Sequence, residues 1–270
     1  MKIDYGEILF VGPCNFKCFY CLGHEMAESA KEVRMLNTHF YEWNNFNEWL
    51  TFLKDHNAPK IYLSSTNSEP LMYKYLGELI DFLQDTHGFK VGIRTNASLG
   101  TELCNKLNGS VSLSLQSLNP DTFKKITGVD LNFDFMQNLD SIKNKSVRVT
   151  IVVNRYNYKE VFDMIHQLKG HNVKYIQLRQ CYKYYDTDIT EDINAFNYVI
   201  NKLEGYKHIG NFNESEIYDV DGQEVSVWRT VFKKSSIRSS NFFTNGLITG
   251  NNLLVEGYND YQRVLHGQIR

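Results

Sequence analysis

The chain has 270 residues, enough for one large domain or for one domain with a small appendage. Hydrophobic residues make up 42 %, so a sizeable core can be buried and general disorder is excluded. Twenty-nine Lys and Arg face 31 Asp and Glu, a formal net charge of −2 with pI about 6.4. That balance excludes the basic field of a non-specific nucleic-acid binder and leaves small polar molecules, nucleosides and peptides as partners. No apolar run approaches the roughly 18 residues that cross a bilayer, and no membrane association is expected. Met1-Lys2-Ile3-Asp4 does not read as a secretory signal and the apolar segment 7–11 is too short for one, so the expected location is cytoplasmic.

Short β-branched runs predict strands at residues 8–11, 60–65, 90–95, 111–115, 147–153 and 175–178. The segments between them read as helices. Leu76, Leu79, Ile80 and Leu83 share one helical face, and Val161, Met164, Ile165 and Leu168 repeat that spacing. Asn119-Pro120-Asp121 reads as a helix entry, with Asn119 as N-cap and Pro120 as first helical residue. The alternation implies an α/β fold with a parallel sheet and right-handed crossovers. Six such units fit a partial (β/α)6 barrel better than a complete eightfold one. Near Thr187 the pattern changes: a helix over 193–203 precedes short hairpins at 217–227, turning at Asp221-Gly222, and at 247–255, turning near Gly250-Asn251. The expected division is a barrel core over 1–187 and a small α+β C-terminal extension over 188–270, placed to cap the barrel mouth.

Five cysteines are present, and Cys14, Cys18 and Cys21 fall in the string Cys14-Asn15-Phe16-Lys17-Cys18-Phe19-Tyr20-Cys21. Such clustering points to a metal rather than to a disulfide framework. The string directly follows the first strand, at the end where barrel active sites form. Thiolates are soft ligands suited to iron–sulfur clusters and zinc. A structural zinc site normally takes four protein ligands, and neither Cys104 nor Cys181 brings a second half-site. Three thiolates on one cubane leave one iron open for a substrate or cosubstrate.

This C-x3-C-x2-C spacing, with the aromatic Tyr20 before the third cysteine, resembles the signature of the radical S-adenosylmethionine superfamily. The resemblance implies a 4Fe-4S cluster on Cys14, Cys18 and Cys21 whose open iron chelates the methionine part of S-adenosylmethionine. It further implies reductive cleavage of the sulfonium C–S bond and hydrogen abstraction from a substrate by the resulting 5′-deoxyadenosyl radical. An electron donor such as flavodoxin or ferredoxin is implied as partner. Thr66-Asn67-Ser68-Glu69-Pro70 is similar to the family's Gly-Gly-Glu-Pro segment, with Asn67 and Ser68 where glycines are usual. Arg94-Thr95-Asn96 resembles the family's Thr-Asn at the third strand end. Residues 111–120 resemble the Ser-Leu-Asp-Ser-Leu-Asp-Pro run of the branch containing the molybdenum-cofactor GTP cyclase and peptide-modifying enzymes, with Gln116 in place of an Asp. Carried over residue by residue, the resemblance assigns the cosubstrate to Tyr20, Asn67, Ser68, Glu69, Thr95, Asn96, Ser114, Asn154 and Arg155. It spans approximately residues 5–185.

Cys181, at the end of the sixth strand, is the candidate catalytic residue: its weak S–H bond suits hydrogen return to a substrate radical. Arg179 is a candidate for a substrate anion or for an ion pair, and His24 and Glu25 lie just past the cysteine loop. Tyr182, Tyr184 and Tyr185 make the segment after the sixth strand aromatic. Lys233, Lys234 and Arg238 form a short basic stretch, and residues 241–246 are an aromatic and amide-rich cover for the mouth. Two other readings of the same residues stand beside this one: an activase that makes a glycyl radical on a partner protein, and a non-catalytic metal-binding protein with a zinc loop completed by His24.

Overall fold

A computed structural model of the chain describes residues 2–26, 35–143, 147–182, 188–212, 215–229 and 238–250. Six strands, β1 (Tyr5–Phe10), β2 (Lys60–Ser65), β3 (Lys90–Thr95), β4 (Val111–Ser114), β5 (Val147–Val153) and β6 (Val173–Gln180), pair in sequence order. Every pairing among them is parallel. This is the partial barrel that the alternation of strands and helices predicts. The helices between strands are α1 (Phe46–Asp55), α2 (Leu76–Asp81), α3 (Pro120–Thr127), α4 (Phe135–Ser141) and α5 (Val161–Leu168). Helix α2 runs on into a π-helical turn, Phe82–Thr86. The predicted cap of α3 is present: the Asn119 side chain accepts from the backbone N–H groups of Asp121 and Thr122.

After β6 come α6 (Thr190–Leu203), β7 (Lys207–Phe212), β8 (Ser215–Val220) and β9 (Gln223–Trp228). Strands β8 and β9 form the predicted hairpin at Asp221-Gly222. Their two reversals leave β9 parallel to β6, which it joins. Strand β10 (Ser239–Phe243) pairs parallel to β1 at the opposite edge, and β11 (Ile248–Thr249) pairs antiparallel to β10. Eight consecutive strands of the eleven-stranded sheet are therefore parallel, in the order β10-β1-β2-β3-β4-β5-β6-β9. Residues 241–243, read from sequence as part of a cover for the mouth, are strand. The second arm of the hairpin predicted over 247–255 lies outside the described residues, as do Tyr184, Tyr185, Lys233 and Lys234.

The two faces of the sheet differ in chemistry. Ile8, Phe10, Ile61, Leu63, Val91, Ile93, Val111, Leu113, Val149, Ile151, Ile176 and Leu178 alternate onto one face and join the main hydrophobic core with the helices. Gly6 marks that face: a Cβ there would meet Leu53 Cδ1 at 2.5 Å and Trp49 at 2.9 Å, both on α1. The opposite face carries Glu7, Tyr62, Arg94, Ser112, Arg148, Thr150, Gln177, Arg179 and Ser226, by strand alternation and register. Parallel strands covered on both sides normally read as continuous apolar runs. Here the inner face is polar, as suits a barrel that holds a ligand. Among the described residues no helix is long and apolar enough to cross a membrane.

Candidate active site

The strands' C-terminal ends bring together the cysteine loop, the segment after β2, the end of β3 and the loop after β5. The cysteine loop is fastened by residues other than its cysteines. Val11 N donates to Thr244 Oγ1 (3.0 Å), so the end of β10 holds the loop's start. Lys17 N and Phe19 N donate to the carbonyls of Thr127 (2.8 Å) and Ile126 (3.0 Å) at the end of α3. Phe16 packs edge-on against Phe123, and Phe19 against Tyr156. The aromatic residues between the cysteines thus anchor the loop by packing.

Cys14, Cys18 and Cys21 are all partly buried, and Cys21 Sγ lies 3.6 Å from the carbonyl of Thr66. Burial pushes the Cys14 thiol up to about 11, with Glu69 and Cys21 adding repulsion. Burial pushes Cys18 up to about 12, and Cys21 and Cys14 add to it. Cys21 is raised too, chiefly by burial. Three thiols that repel one another's ionisation in a shielded pocket favour the thiolate form only when a cation joins them. The donor set, three soft sulfurs on one short loop, fits an iron–sulfur cluster. Among the described residues no three His, Cys, Asp or Glu side chains converge on a single-ion site; thiolates bound to separate corners of a cluster need not do so.

Glu69 is the centre of the neighbouring network. It is 2 % exposed, and its carboxylate accepts from the Thr95 hydroxyl, from Asn96 N (2.8 Å) and from Leu71 N (3.1 Å). Burial lifts its acid group to about 7 in spite of those three donors. Asn96 Nδ2 donates to Asn15 Oδ1 (2.9 Å), and Asn15 Nδ2 donates to Ser98 Oγ (2.7 Å). Ser98 in turn donates to Asn96 Oδ1. Asn15, between the first two cysteines, therefore ties the cysteine loop to β3 and through Asn96 to Glu69. Ser68 Oγ donates to the carbonyl of Pro13 (3.2 Å), a second tie to the same loop. Gly23 makes a third: a Cβ there would meet the Thr66 carbonyl oxygen at 2.4 Å and Asn67 Cα at 2.6 Å. His24 sits on the exposed side of this turn.

Tyr20 is half-buried, and its hydroxyl hydrogen-bonds with Gln116. Burial raises its hydroxyl, and Cys18, Cys181 and Cys21 repel its ionised form. That places Cys181, itself 1 % exposed, close to the cysteine loop across the mouth. Ser114 ends β4 on the inner face, partly buried. Asn154 and Arg155 follow β5 and are engaged within the protein. Asn154 Nδ2 donates to the Val152 carbonyl, and its Oδ1 accepts from Tyr156 N. Arg155 pairs with Asp192 (2.7 Å) and Glu191 (3.0 Å) on α6 and lies over the Phe19 ring. Sequence reading missed Asn15 and Asn157. Asn157 is fully buried, accepts from Asn154 N and donates to the Gln116 carbonyl, joining β4 and β5 at the mouth. Asn15 lay inside the motif, and its amide was the available signal.

Residues 8–177 match the profile of the Radical SAM superfamily. The chain belongs to that superfamily. Radical SAM proteins use a 4Fe-4S cluster and S-adenosylmethionine, so the cysteine-bearing mouth belongs to a family built around those two groups. Among curated relatives, the GTP 3′,8-cyclase of Nautilia profundicola is 28 % identical over 189 residues, covering 66 % of this chain and 57 % of its own. A probable GTP 3′,8-cyclase of Saccharolobus islandicus is 31 % identical over 188 residues, covering 64 % of this chain and 55 % of its own. The chain thus spans little more than half the length of the curated relatives it matches. Among solved structures, Streptococcus suis SuiB bound to S-adenosylmethionine superposes with a TM-score of 0.61 at 14 % identity, covering 93 % of this chain and 60 % of that one. SuiB bound to its precursor peptide SuiA gives a TM-score of 0.62 at 15 % identity, covering 100 % and 67 %. These superpositions show a shared radical SAM fold.

Proposed function

We propose that this chain is a radical SAM enzyme that carries one 4Fe-4S cluster on Cys14, Cys18 and Cys21 and acts on a small-molecule, nucleoside or peptide substrate. When bound, the cluster would pass an electron from the reductant to the cosubstrate to break its sulfonium C–S bond, and the cosubstrate would supply the radical that abstracts hydrogen from a substrate carbon. The protein's own part is to position and to shield. Glu69, Thr95 and Asn96, with Asn67 and Ser68 beside them, hold the cosubstrate's methionine part next to the cysteine loop. Tyr20 covers the loop from the Gln116 side, and Ser114, Asn154 and Arg155 edge the ribose side. Cys181 returns a hydrogen atom to the substrate from the β6 side. Residues 188–270 extend the 1–187 core, a division supported by β9 and β10 adding to its two edges. Flavodoxin or ferredoxin is the reductant this chemistry calls for, in the cytoplasm.

The observation that carries this reading is the chain of hydrogen bonds from Asn15 through Asn96 to Glu69, which binds the cysteine loop to the ends of β2 and β3. Anaerobic reconstitution with iron and sulfide tests it. The expected result is a cluster chromophore and formation of 5′-deoxyadenosine from S-adenosylmethionine and reductant. A protein that acquires no iron–sulfide absorption and releases no 5′-deoxyadenosine overturns it.

A further inference from the structure

Below the mouth, the inner face of the barrel holds three arginines from three strands. Arg94 and Arg148 sit at one level of the sheet, each in register with Ser112 between them. Their Cα atoms are therefore separated by about two strand spacings, roughly 10 Å. Arg148 Nε donates to Ser112 Oγ (3.0 Å). Arg179 stands further along β6, but its Nε donates to Gln177 Oε1 (2.9 Å), so its side chain folds back from the mouth toward the other two. Against these three cations the described residues offer one paired carboxylate, Glu7, which bonds Arg94. Among the described residues no ion pair joins a carboxylate to Arg148 or Arg179.

Such an arrangement is unfavourable unless something anionic completes it. Burial and the neighbouring Arg148 and Arg94 push the Arg179 guanidinium down, to about 9, and burial and Arg94 lower Arg148. Both remain cations at neutral pH, so like charges face one another across a shielded space. The Arg94 side chain is nevertheless 32 % accessible, although its strand neighbours on the outer face are buried. Its Nε is also without a hydrogen-bond partner. Solvent thus reaches part of the Arg94 side chain at this level, while its Nε is buried and still unpaired. Aromatic faces hold two of the three in place: Arg94 lies 4.8 Å from the Tyr62 ring centroid and Arg179 5.6 Å from that of Trp228.

We infer that Arg94, Arg148 and Arg179 form the binding site for the anionic group, a carboxylate or phosphate, of a small-molecule substrate. The fork of a guanidinium matches both groups, and three forks on one concave face give the multidentate recognition that a single surface arginine does not. The position has a consequence for chemistry. Cys181 lies two residues beyond Arg179 on the same face, roughly 7 Å nearer the mouth. An anion anchored on Arg179 and Arg148 presents the rest of the substrate beside Cys181 and beneath the cysteine loop. This use of the site rests on the radical SAM reading; the anion site itself does not.

Thermal unfolding of the 270-residue chain, without cluster or cosubstrate, tests it. Inorganic phosphate and malonate are added separately at low-millimolar concentration, each against chloride at matched ionic strength; general salt exclusion contributes little in that range. The expected result is a rise in Tm with one or both anions beyond that with chloride, and the larger response tells phosphate from carboxylate. Calorimetry is expected to show about tenfold weaker binding, or worse, in Arg148→Gln and Arg179→Gln. A wild-type protein that responds to neither anion more than to chloride overturns the inference, as do folded variants that respond as strongly as wild type. The wild-type comparison decides alone where a variant does not fold. A negative result here leaves 5′-deoxyadenosine formation untouched, and a failure of that assay leaves anion binding measurable.

Discussion

At the scale of single residues, Glu69 is the group whose environment says most. Its acid group is raised from the usual 4.5 to about 7, so between those values the folded chain holds a proton that the unfolded chain has lost. Stability from this group is present below pH 4.5 and is lost as pH rises through 7, by on the order of 3 kcal/mol. Urea midpoints of the cluster-free protein are therefore expected to fall between pH 5 and pH 8, and to fall less in Glu69→Gln. Equal slopes in the two proteins would show that Glu69 does not carry the effect. Gly23 is the second case. The atoms a Cβ would strike are the Thr66 carbonyl oxygen and the Asn67 Cα and Cβ, none of which can rotate away. Gly23→Ala is expected to cost about 1–3 kcal/mol and to lower iron bound per chain after reconstitution, because the turn carrying Cys21 must lift off the segment after β2. The sequence exposed the cysteines and Glu69 because their spacing is local. It did not expose Asn15, Asn157 or the partners of Arg155, because each depends on a residue distant in the chain. Arg155, which the resemblance assigns to the cosubstrate, also pairs with Asp192 and Glu191 of α6, more than thirty residues further along the chain.

At the scale of elements, legibility followed burial. Strands β2, β3 and β5 begin and end where the Val/Ile pattern places them, because their outer faces are almost wholly buried. Strand β7 escaped notice because nearly every residue in it is exposed, so no alternation marks it. Strand β10 reads Ser-Ser-Asn-Phe-Phe and resembles a loop; its order comes from β1, more than two hundred residues earlier. The local signal for α3 was complete. Its Asn119 cap satisfies two N–H groups, and the helix end supplies the carbonyls that hold Lys17 and Phe19. Asn119→Ala is expected to cost about 1 kcal/mol in chemical denaturation. Faster hydrogen exchange should appear at the Lys17 and Phe19 amides as well as in the first turn of α3. Protection unchanged at those two amides would mean that the loop does not depend on this helix.

At the scale of the molecule, the fold separates what stabilises from what reacts. The main core lies between the outer face of the sheet and the helices, and its strand members come from β1 to β6, β8, β9 and β10. The cysteine loop sits at the other side, over a small apolar group of Leu9, Val11, Met26, Phe243 and Leu247. Backbone bonds to the end of α3, the bond of Val11 to Thr244 after β10, the amide of Asn15 and the packing of Phe16 and Phe19 all fasten it without a thiol. The chain without its cluster should therefore already hold the native fold, unlike small metal domains that are unfolded without metal. Cys18→Ser is expected to leave the unfolding midpoint of the cluster-free protein within about 1 kcal/mol of wild type, since the core and the loop's bonds to α3 and β10 do not use that sulfur and a serine can keep its hydrogen bond with Tyr20. Reconstitution should then raise the Tm of wild type, because a group that binds only the folded chain stabilises it by mass action. The same treatment should leave Cys18→Ser where it was. Parallel denaturation curves of the two cluster-free proteins, with iron retained by wild type alone, would place the cysteines on the side of chemistry. A collapse of the cluster-free variant would instead make the loop part of the scaffold, and the separation drawn from the two faces of the sheet would be wrong.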